Sequence, residues 1–343
     1  INRGKISDKI KEETLTRILA TDDYTKLSKA DLVIEAVFED TKVKSDITKA
    51  VVEVIPKDCI FASNTSTLPI SELANASKYP ENYIGIHFFS PVEKMLLVEI
   101  IKGKKTEARA VAKALDFVRQ IKKTPIVVND ARFFYANRCI IPYLNEGLRM
   151  ITEGVPPSII ESAAKQLGFP LGPIQLVDET SIELGAKIAR ATKAAMGTSY
   201  PDEQIDQILF WMESKGRLGR KAGKRKGFWN GLEEKFPLST KEIAFRDVKH
   251  RLMFIQALEA VRALEEGVLM DIREGDVGAI LGWGFAQWSG GPLSWLDILG
   301  TPYAVERCNV LFETYGPRFE CPPLLAEMGK NNEAFYDRFS PEN

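Results

Sequence analysis

Two histidines occur in this 343-residue chain, and one closes the run Tyr83-Ile84-Gly85-Ile86-His87-Phe88-Phe89-Ser90-Pro91. β-Branched and aromatic residues ending on a histidine before Ser-Pro read as a strand that empties into a loop. In an open α/β sheet, ligands bind at that end of a strand. Histidine is also the side chain best suited to exchange a proton near neutral pH. Twelve positions on, Glu99 interrupts Met95-Leu96-Leu97-Val98-Glu99-Ile100-Ile101. A carboxylate inside an apolar strand is costly to bury without a partner. A strand, a turn and a returning strand would bring Glu99 back against His87. The carboxylate would then accept the imidazole N–H, fix the tautomer and stabilise the imidazolium, which is the base-plus-orienter arrangement of acid–base catalysis.

The elements that position this pair alternate. Asp31–Val37, Cys59–Ala62, the His87 and Glu99 segments and Pro125–Val128 read as strands. Lys42–Ile55, Ser71–Ala76 and residues 106–121 read as helices. Alternation of this kind implies right-handed crossovers and a largely parallel sheet. After Asn129 the period becomes helical, beginning with a long amphipathic segment over Arg132–Glu153 that ends at Gly154. This half repeats itself. Arg138, Asn145-Glu146-Gly147-Leu148-Arg149 and Thr152-Glu153-Gly154-Val155 are echoed by Arg251, Leu258-Glu259-Ala260-Val261-Arg262 and Glu265-Glu266-Gly267-Val268. Leu167-Gly168-Phe169 with Gly172-Pro173-Ile174-Gln175-Leu176-Val177-Asp178 is echoed by Trp283-Gly284-Phe285 with Gly291-Pro292-Leu293-Ser294-Trp295-Leu296-Asp297. The expected architecture is an α/β Rossmann-type domain over residues 1–128, incomplete at its N-terminal side, followed by two related all-α domains over 129–235 and 236–343. A Gly/Lys-rich linker is expected at Gly216–Gly231, and a structural role for the second copy.

Composition narrows the function. With 45% apolar residues, 27% charged residues and a net charge of −1, the chain offers no field for nucleic acid. It contains no apolar stretch near the ~20 residues needed to span a bilayer. Cys59, Cys139, Cys308 and Cys321 are scattered without a C-x-x-C pair and read as reduced thiols of a cytoplasmic protein, with no metal site. The opening Ile-Asn-Arg-Gly-Lys-Ile-Ser is neither an initiator start nor a signal peptide and reads as the middle of a helix.

Ser63-Asn64-Thr65-Ser66-Thr67-Leu68, His87-Phe88-Phe89-Ser90-Pro91, Leu97-Val98-Glu99-Ile100 and Asn137-Arg138, in this order and at these separations, resemble the L-3-hydroxyacyl-CoA dehydrogenase family. The duplicated helical part is similar to the C-terminal part of multifunctional fatty-acid β-oxidation enzymes, in which an enoyl-CoA hydratase precedes the dehydrogenase. The resemblance implies NAD-dependent oxidation of a 3-hydroxyacyl-CoA thioester to the 3-ketoacyl-CoA. It makes His87 the base, Glu99 its partner, and Ser66 and Asn137 the groups at the substrate oxygen. It places Val37, Phe38, Glu39, Lys44, Ser66, Ser90 and Lys221 along the cofactor. It leaves open a homo-oligomer or a complex with a thiolase subunit. Two rivals remain at this stage: a same-fold dehydrogenase of free 3-hydroxy acids, and an inactive assembly fragment. Taken singly, Ser66 reads more readily as a helix cap and Asn137 as a helix-surface residue, and the linked pattern reverses this; Glu39 with Lys44 reads equally as an exposed charge pair.

Three departures from the family pattern stand out. Ser90 replaces the asparagine of the single-function enzymes, and Gly223-Lys224-Arg225-Lys226-Gly227-Phe228-Trp229 departs from the usual Gly-x-Gly-Phe/Leu-Tyr. No G-x-G-x-x-G turn precedes the Asp31 strand, so the pyrophosphate-binding helix start of a dinucleotide site is missing from these residues. Residues 1–343 on their own are therefore expected to bind NAD weakly or not at all. Calorimetric titration checks this, and tight binding would contradict it.

Overall fold

The structure is a computed structural model and describes residues 7–197, 203–220 and 231–339. Lys221, most of the Gly/Lys-rich linker and the 223–229 stretch lie outside the described residues. The first helix, α1 (Asp8–Leu15), starts at Ser7, whose hydroxyl accepts the Ile10 N–H.

Five strands form one sheet in the order β1 (Leu32–Glu35), β2 (Ile60–Ser63), β3 (Tyr83–Phe88), β4 (Leu97–Lys102) and β5 (Thr124–Asn129). β1, β2 and β3 are parallel, β4 returns antiparallel to β3, and β5 is parallel to β4. The parallel steps are made by α2 (Thr41–Val52), α3 (Ile70–Leu73) and α4 (Ala108–Gln120). The expected largely parallel sheet is thus two parallel groups joined by one returning hairpin. The short β3–β4 connection leaves no room for a crossover helix, so the strand must come back antiparallel.

Side chains alternate across the sheet because the strand period is two. Ile84, Ile86, Val98 and Ile100 pack with Ala110, Ala114 and Val118 of α4. Tyr83, Leu97, Ile101, Ile126 and Val128 belong to the opposite core, which is continuous with the helical half. His87 keeps step with Tyr83, and Glu99 with Leu97 and Ile101. Both therefore point toward the helical half.

That half contains α5 (Ala136–Thr152), α6 (Pro157–Gln166), α7 (Pro173–Thr180), α8 (Ile182–Met196) and α9 (Glu203–Ser214). The second set is α10 (Phe245–Glu265), α11 (Ile272–Trp283), α12 (Pro292–Leu299), α13 (Thr301–Tyr315), α14 (Pro323–Asn331) and α15 (Phe335–Arg338). The sequence repeat is a repeat of contacts. Glu161 of α6 accepts the N–H groups of Ile174 and Gln175 at 2.8 and 3.1 Å. Asp276 of α11 accepts those of Leu293 and Ser294 at 2.8 and 3.0 Å. In both copies a carboxylate closes the exposed N–H groups at the start of a Gly-Pro helix.

α5 and α10 pack against each other with reciprocal ion pairs. Arg138, early in α5, meets Glu259 of α10 and Glu266, its C-cap, at 3.0 and 2.5 Å. Arg251, early in α10, meets Glu146 of α5 and Glu153, its C-cap, both at 2.6 Å. Each residue of one copy meets the counterpart of its own partner in the other, as across a two-fold axis between antiparallel helices. Glu146 is fully buried, and Arg149 and Arg318 also reach it at 3.2 and 2.6 Å. Burial works to raise the Glu146 carboxyl, but Arg251, Arg318 and Arg149 outweigh it and hold it below the ordinary glutamate value. Its stabilising contribution is therefore complete above the unfolded value and lost as pH falls through the lower folded one. Glu146→Ala removes the buried carboxylate that Arg251, Arg318 and Arg149 share and should lower unfolding free energy by about 3–5 kcal/mol. Chemical denaturation at neutral pH measures it, and the difference from wild type should shrink in acid.

Candidate active site

β3 and β4 place His87 opposite Glu99 in register. Imidazole Nδ1 lies 2.8 Å from Glu99 Oε2, and both side chains are buried, His87 at 3% exposure and Glu99 at 0%. The other carboxylate oxygen, Oε1, accepts the backbone N–H groups of Tyr135 and Ala136 at 3.1 and 2.8 Å. These are the free donors at the start of α5, where a helix most favours negative charge. Glu99 thus holds three donors, one on the imidazole and two on the helical half. An ionised carboxylate can only accept, which assigns the hydrogen to Nδ1, and Nε2 takes no partner among the described residues.

The approach to α5 is sharp. The sequence predicts a helix from Arg132, but Phe133 and Phe134 adopt left-handed backbone angles, φ +67° and +53°, and the helix begins at Ala136. Bulky residues hold that conformation at a cost of order 1–3 kcal/mol each, only where the surroundings require it. Here the turn aims the Tyr135 and Ala136 N–H groups at Glu99. It also buries Phe134 beside the imidazole, ring centroids 6.1 Å apart, with Phe89 on that ring at 4.5 Å.

Ser66 lies past the end of β2. Its carbonyl accepts the Asn137 side-chain N–H at 2.7 Å, so two expected substrate residues are brought together. The Ser66 hydroxyl takes no partner among the described residues. Neither bland reading fits this arrangement, because Ser66 does not cap α3 and Asn137 is turned to the Ser66 loop. The cap of α3 is Asp130, which accepts the Ile70 and Ser71 N–H groups at 2.8 and 2.7 Å.

Glu39 is exposed and paired with Lys44, as that reading has it, but it also holds the Ser66 loop, and Lys44 is buried. Glu39 Oε1 accepts the Thr65 hydroxyl at 2.6 Å, the Ser66 and Thr67 N–H groups at 3.0 Å and the Thr67 hydroxyl at 2.9 Å. Burial works to raise the Glu39 carboxyl. The Thr65 and Thr67 hydroxyls, Lys44 and the Ser66 N–H outweigh it, and it lies below its ordinary value. Lys44 is 1% exposed, with its ammonium 3.0 Å from Glu35 and 3.5 Å from Glu39. Glu35 in turn accepts the Ser63 hydroxyl and, at 3.1 Å, the Val37 N–H. Val37 is half-buried at the end of β1, Phe38 stands 85% exposed beside it, and Ser90 is exposed beyond β3. Glu35, Asn64 and the two α5 N–H groups escaped the reading of the sequence. Glu35 carried a signal, being a second carboxylate in an apolar strand. Asn64, whose Oδ1 accepts the Phe88 N–H at 2.9 Å and ties β2 to the His87 strand, carried none.

Residues 1–131 match the family model described as 3-hydroxyacyl-CoA dehydrogenase, NAD binding domain, and residues 134–229 match that of its C-terminal domain. The chain belongs to the 3-hydroxyacyl-CoA dehydrogenase family. It is an NAD-dependent oxidoreductase, and the fold is the family's Rossmann-like sheet followed by helices. It is 31% identical to an (S)-3-hydroxybutyryl-CoA dehydrogenase from Ralstonia eutropha, over 67% of this chain and 80% of that one, TM-score 0.60. It is 27% identical to the dehydrogenase part of multifunctional enzyme 1 from C. elegans, over 94% of this chain and 77% of that one, TM-score 0.65. A 3-hydroxybutyryl-CoA dehydrogenase from Escherichia coli K12 shares the fold at TM-score 0.81, with 22% identity over 96% of this chain and 88% of that one. Among the described residues no helix is long and apolar enough to cross a membrane.

For this dehydrogenase the Glu99 geometry makes a sharp demand. An amide at position 99 keeps its oxygen on the two α5 N–H groups only by turning its NH₂ to Nδ1. That forces the proton onto Nε2, which then has no lone pair to accept another. Glu99→Gln should therefore lower kcat by about 10²–10⁴ while the protein stays folded. Steady-state kinetics beside circular dichroism reads both.

Proposed function

We propose that this chain oxidises L-3-hydroxyacyl-CoA thioesters to 3-ketoacyl-CoA as the dehydrogenase part of a multifunctional fatty-acid β-oxidation enzyme in the cytoplasm. The observation that carries the reading is the buried His87–Glu99 pair, its second imidazole nitrogen without a partner among the described residues. Nε2 of His87 accepts the proton of the substrate 3-hydroxyl. Glu99 stabilises the imidazolium that results and keeps its ring from turning. The Ser66 hydroxyl and the Asn137 amide, joined through the Ser66 carbonyl, face the substrate oxygen and hydrogen-bond it as charge develops. Bonds of this type contribute about 3–4 kcal/mol each where a single donor has been removed from such a site.

The cofactor half of the site fits the nicotinamide end of NAD. Val37 and Phe38, Ser66, and Ser90 follow three adjacent parallel strands, where a dinucleotide crosses such a sheet. An 85%-exposed aromatic at the end of β1 offers an apolar surface to a flat ring. Glu39 and Lys44 act from behind, holding the Ser66 loop. When bound, the nicotinamide supplies the acceptor for the hydride that leaves substrate C3. The likeness to the C. elegans dehydrogenase part, which extends over 94% of this chain, supports the placement in a multifunctional enzyme.

Acetoacetyl-CoA-dependent oxidation of NADH by the full-length protein tests the reading. Wild type should turn over, His87→Gln should lose about 10²–10⁴ in kcat, and free acetoacetate should be a poor substitute for the thioester. Near-normal turnover in His87→Gln would remove the base assignment. Preference for the free acid would move the substrate class.

A further inference from the structure

The second helical copy follows the catalytic residues by more than a hundred positions, yet it lies against the sheet beside them. Gly278 and Gly282 of α11 face the strands so closely that an added Cβ would sit 2.8 Å from Ile126 and 2.5 Å from Leu97. Leu97 is two residues from Glu99 on the same face of β4. Glu274 of the same helix accepts the Val127 N–H at 2.8 Å, and the Asn129 N–H donates to the Val268 carbonyl at 2.9 Å. The edge of β5 is closed by this copy.

Between α11 and Glu99 stands Tyr135. Its backbone N–H is one of the two that hold Glu99. Its side chain is buried and clamped from the other side, the hydroxyl donating to the Gly275 carbonyl at 3.1 Å. Trp283 meets the Tyr135 ring edge-on, centroids 5.6 Å apart, and is itself fixed by an indole N–H bond to Gln256 of α10 at 2.9 Å. We propose that the second helical copy positions the catalytic pair: Tyr135, clamped by Gly275 and Trp283, is a positioning residue that fixes the helix-start N–H groups on Glu99 and through them the His87 tautomer.

The physical need is local. Phe133 and Phe134 precede Tyr135 in left-handed conformations, so this segment has a lower-energy backbone to relax into if nothing holds it. Covalent continuity with β5 and α5 does not prevent that rotation. A hydrogen bond and a ring contact at the tip of the Tyr135 side chain do. The side chain acts on Glu99 through its own backbone and touches no reacting atom.

The inference rests on His87 as the base, and its test has one arm that does not depend on turnover. In the full-length protein, Tyr135→Phe and Trp283→Leu should each lower kcat by roughly tenfold, the scale of a small misplacement of a catalytic group, with KM within twofold of wild type. Leu325→Ala, a cavity in α14 away from this seam, should lower Tm and leave kcat unchanged. The second arm is ¹⁵N NMR of histidine-labelled protein. The chain has two histidines, so His250→Gln identifies the His87 signals. Wild type should show the Nδ1–H tautomer, and Tyr135→Phe and Trp283→Leu a mixture. If both variants keep wild-type kcat and a pure Nδ1–H tautomer, or if Leu325→Ala loses activity as they do, the positioning role is wrong. If wild type turns over no acyl-CoA, the functional reading falls, and the tautomer measurement alone decides the clamp.

Discussion

The Glu99 carboxylate is the interaction on which this structure turns. A charged group fully out of water is tolerated only when its hydrogen-bonding capacity is met, and here three donors from two parts of the molecule meet it. One donor is the His87 imidazole and two belong to the first turn of α5. The same carboxylate therefore orients the imidazole and joins the sheet to the helices. Neither task can be altered alone, since moving α5 re-aims the imidazole and turning the imidazole unbalances the helix start.

A second carboxylate divides the labour. Glu39 gathers the Thr65–Thr67 backbone and hydroxyls, and Lys44 behind it ties that loop to Glu35 of β1. Asn137 completes the circuit from α5 to the Ser66 carbonyl. The Ser66 loop is thus held from two sides, by Glu39 and by the Asn137 side chain. Placing the charges beneath the loop leaves its upper surface to hydroxyl and amide dipoles, which do not have to be desolvated as ions when a ligand arrives.

Much of this was legible in the sequence. The strand that ends on His87, the returning strand with Glu99 and their juxtaposition follow from period-two patterning and from the cost of an unpaired buried carboxylate. The helical duplication was visible as a drifting echo. What stayed hidden was chosen by tertiary geometry rather than by local pattern. Nothing in Arg132–Tyr135 announces two left-handed phenylalanines, because no glycine marks the turn. Lys44 looks like any surface lysine of an amphipathic helix, and only the fold puts Glu35 beneath it. The second copy seemed remote because the sequence orders it last. The spacing of Gly275, Gly278 and Gly282 on one face of α11 was the one sign that this helix lies close against something.

The reciprocal pairing of α5 with α10 has a consequence for dilution. Arg138 with Glu259 and Glu266, and Arg251 with Glu146 and Glu153, form a self-complementary seam of the sort two identical chains make on meeting. Two chains pay for such a meeting in lost translational and rotational freedom, and their seam opens as the solution thins. In this molecule both halves sit on one polypeptide, so the partner is present at an effective concentration set by the connecting chain and not by how much protein the solution contains.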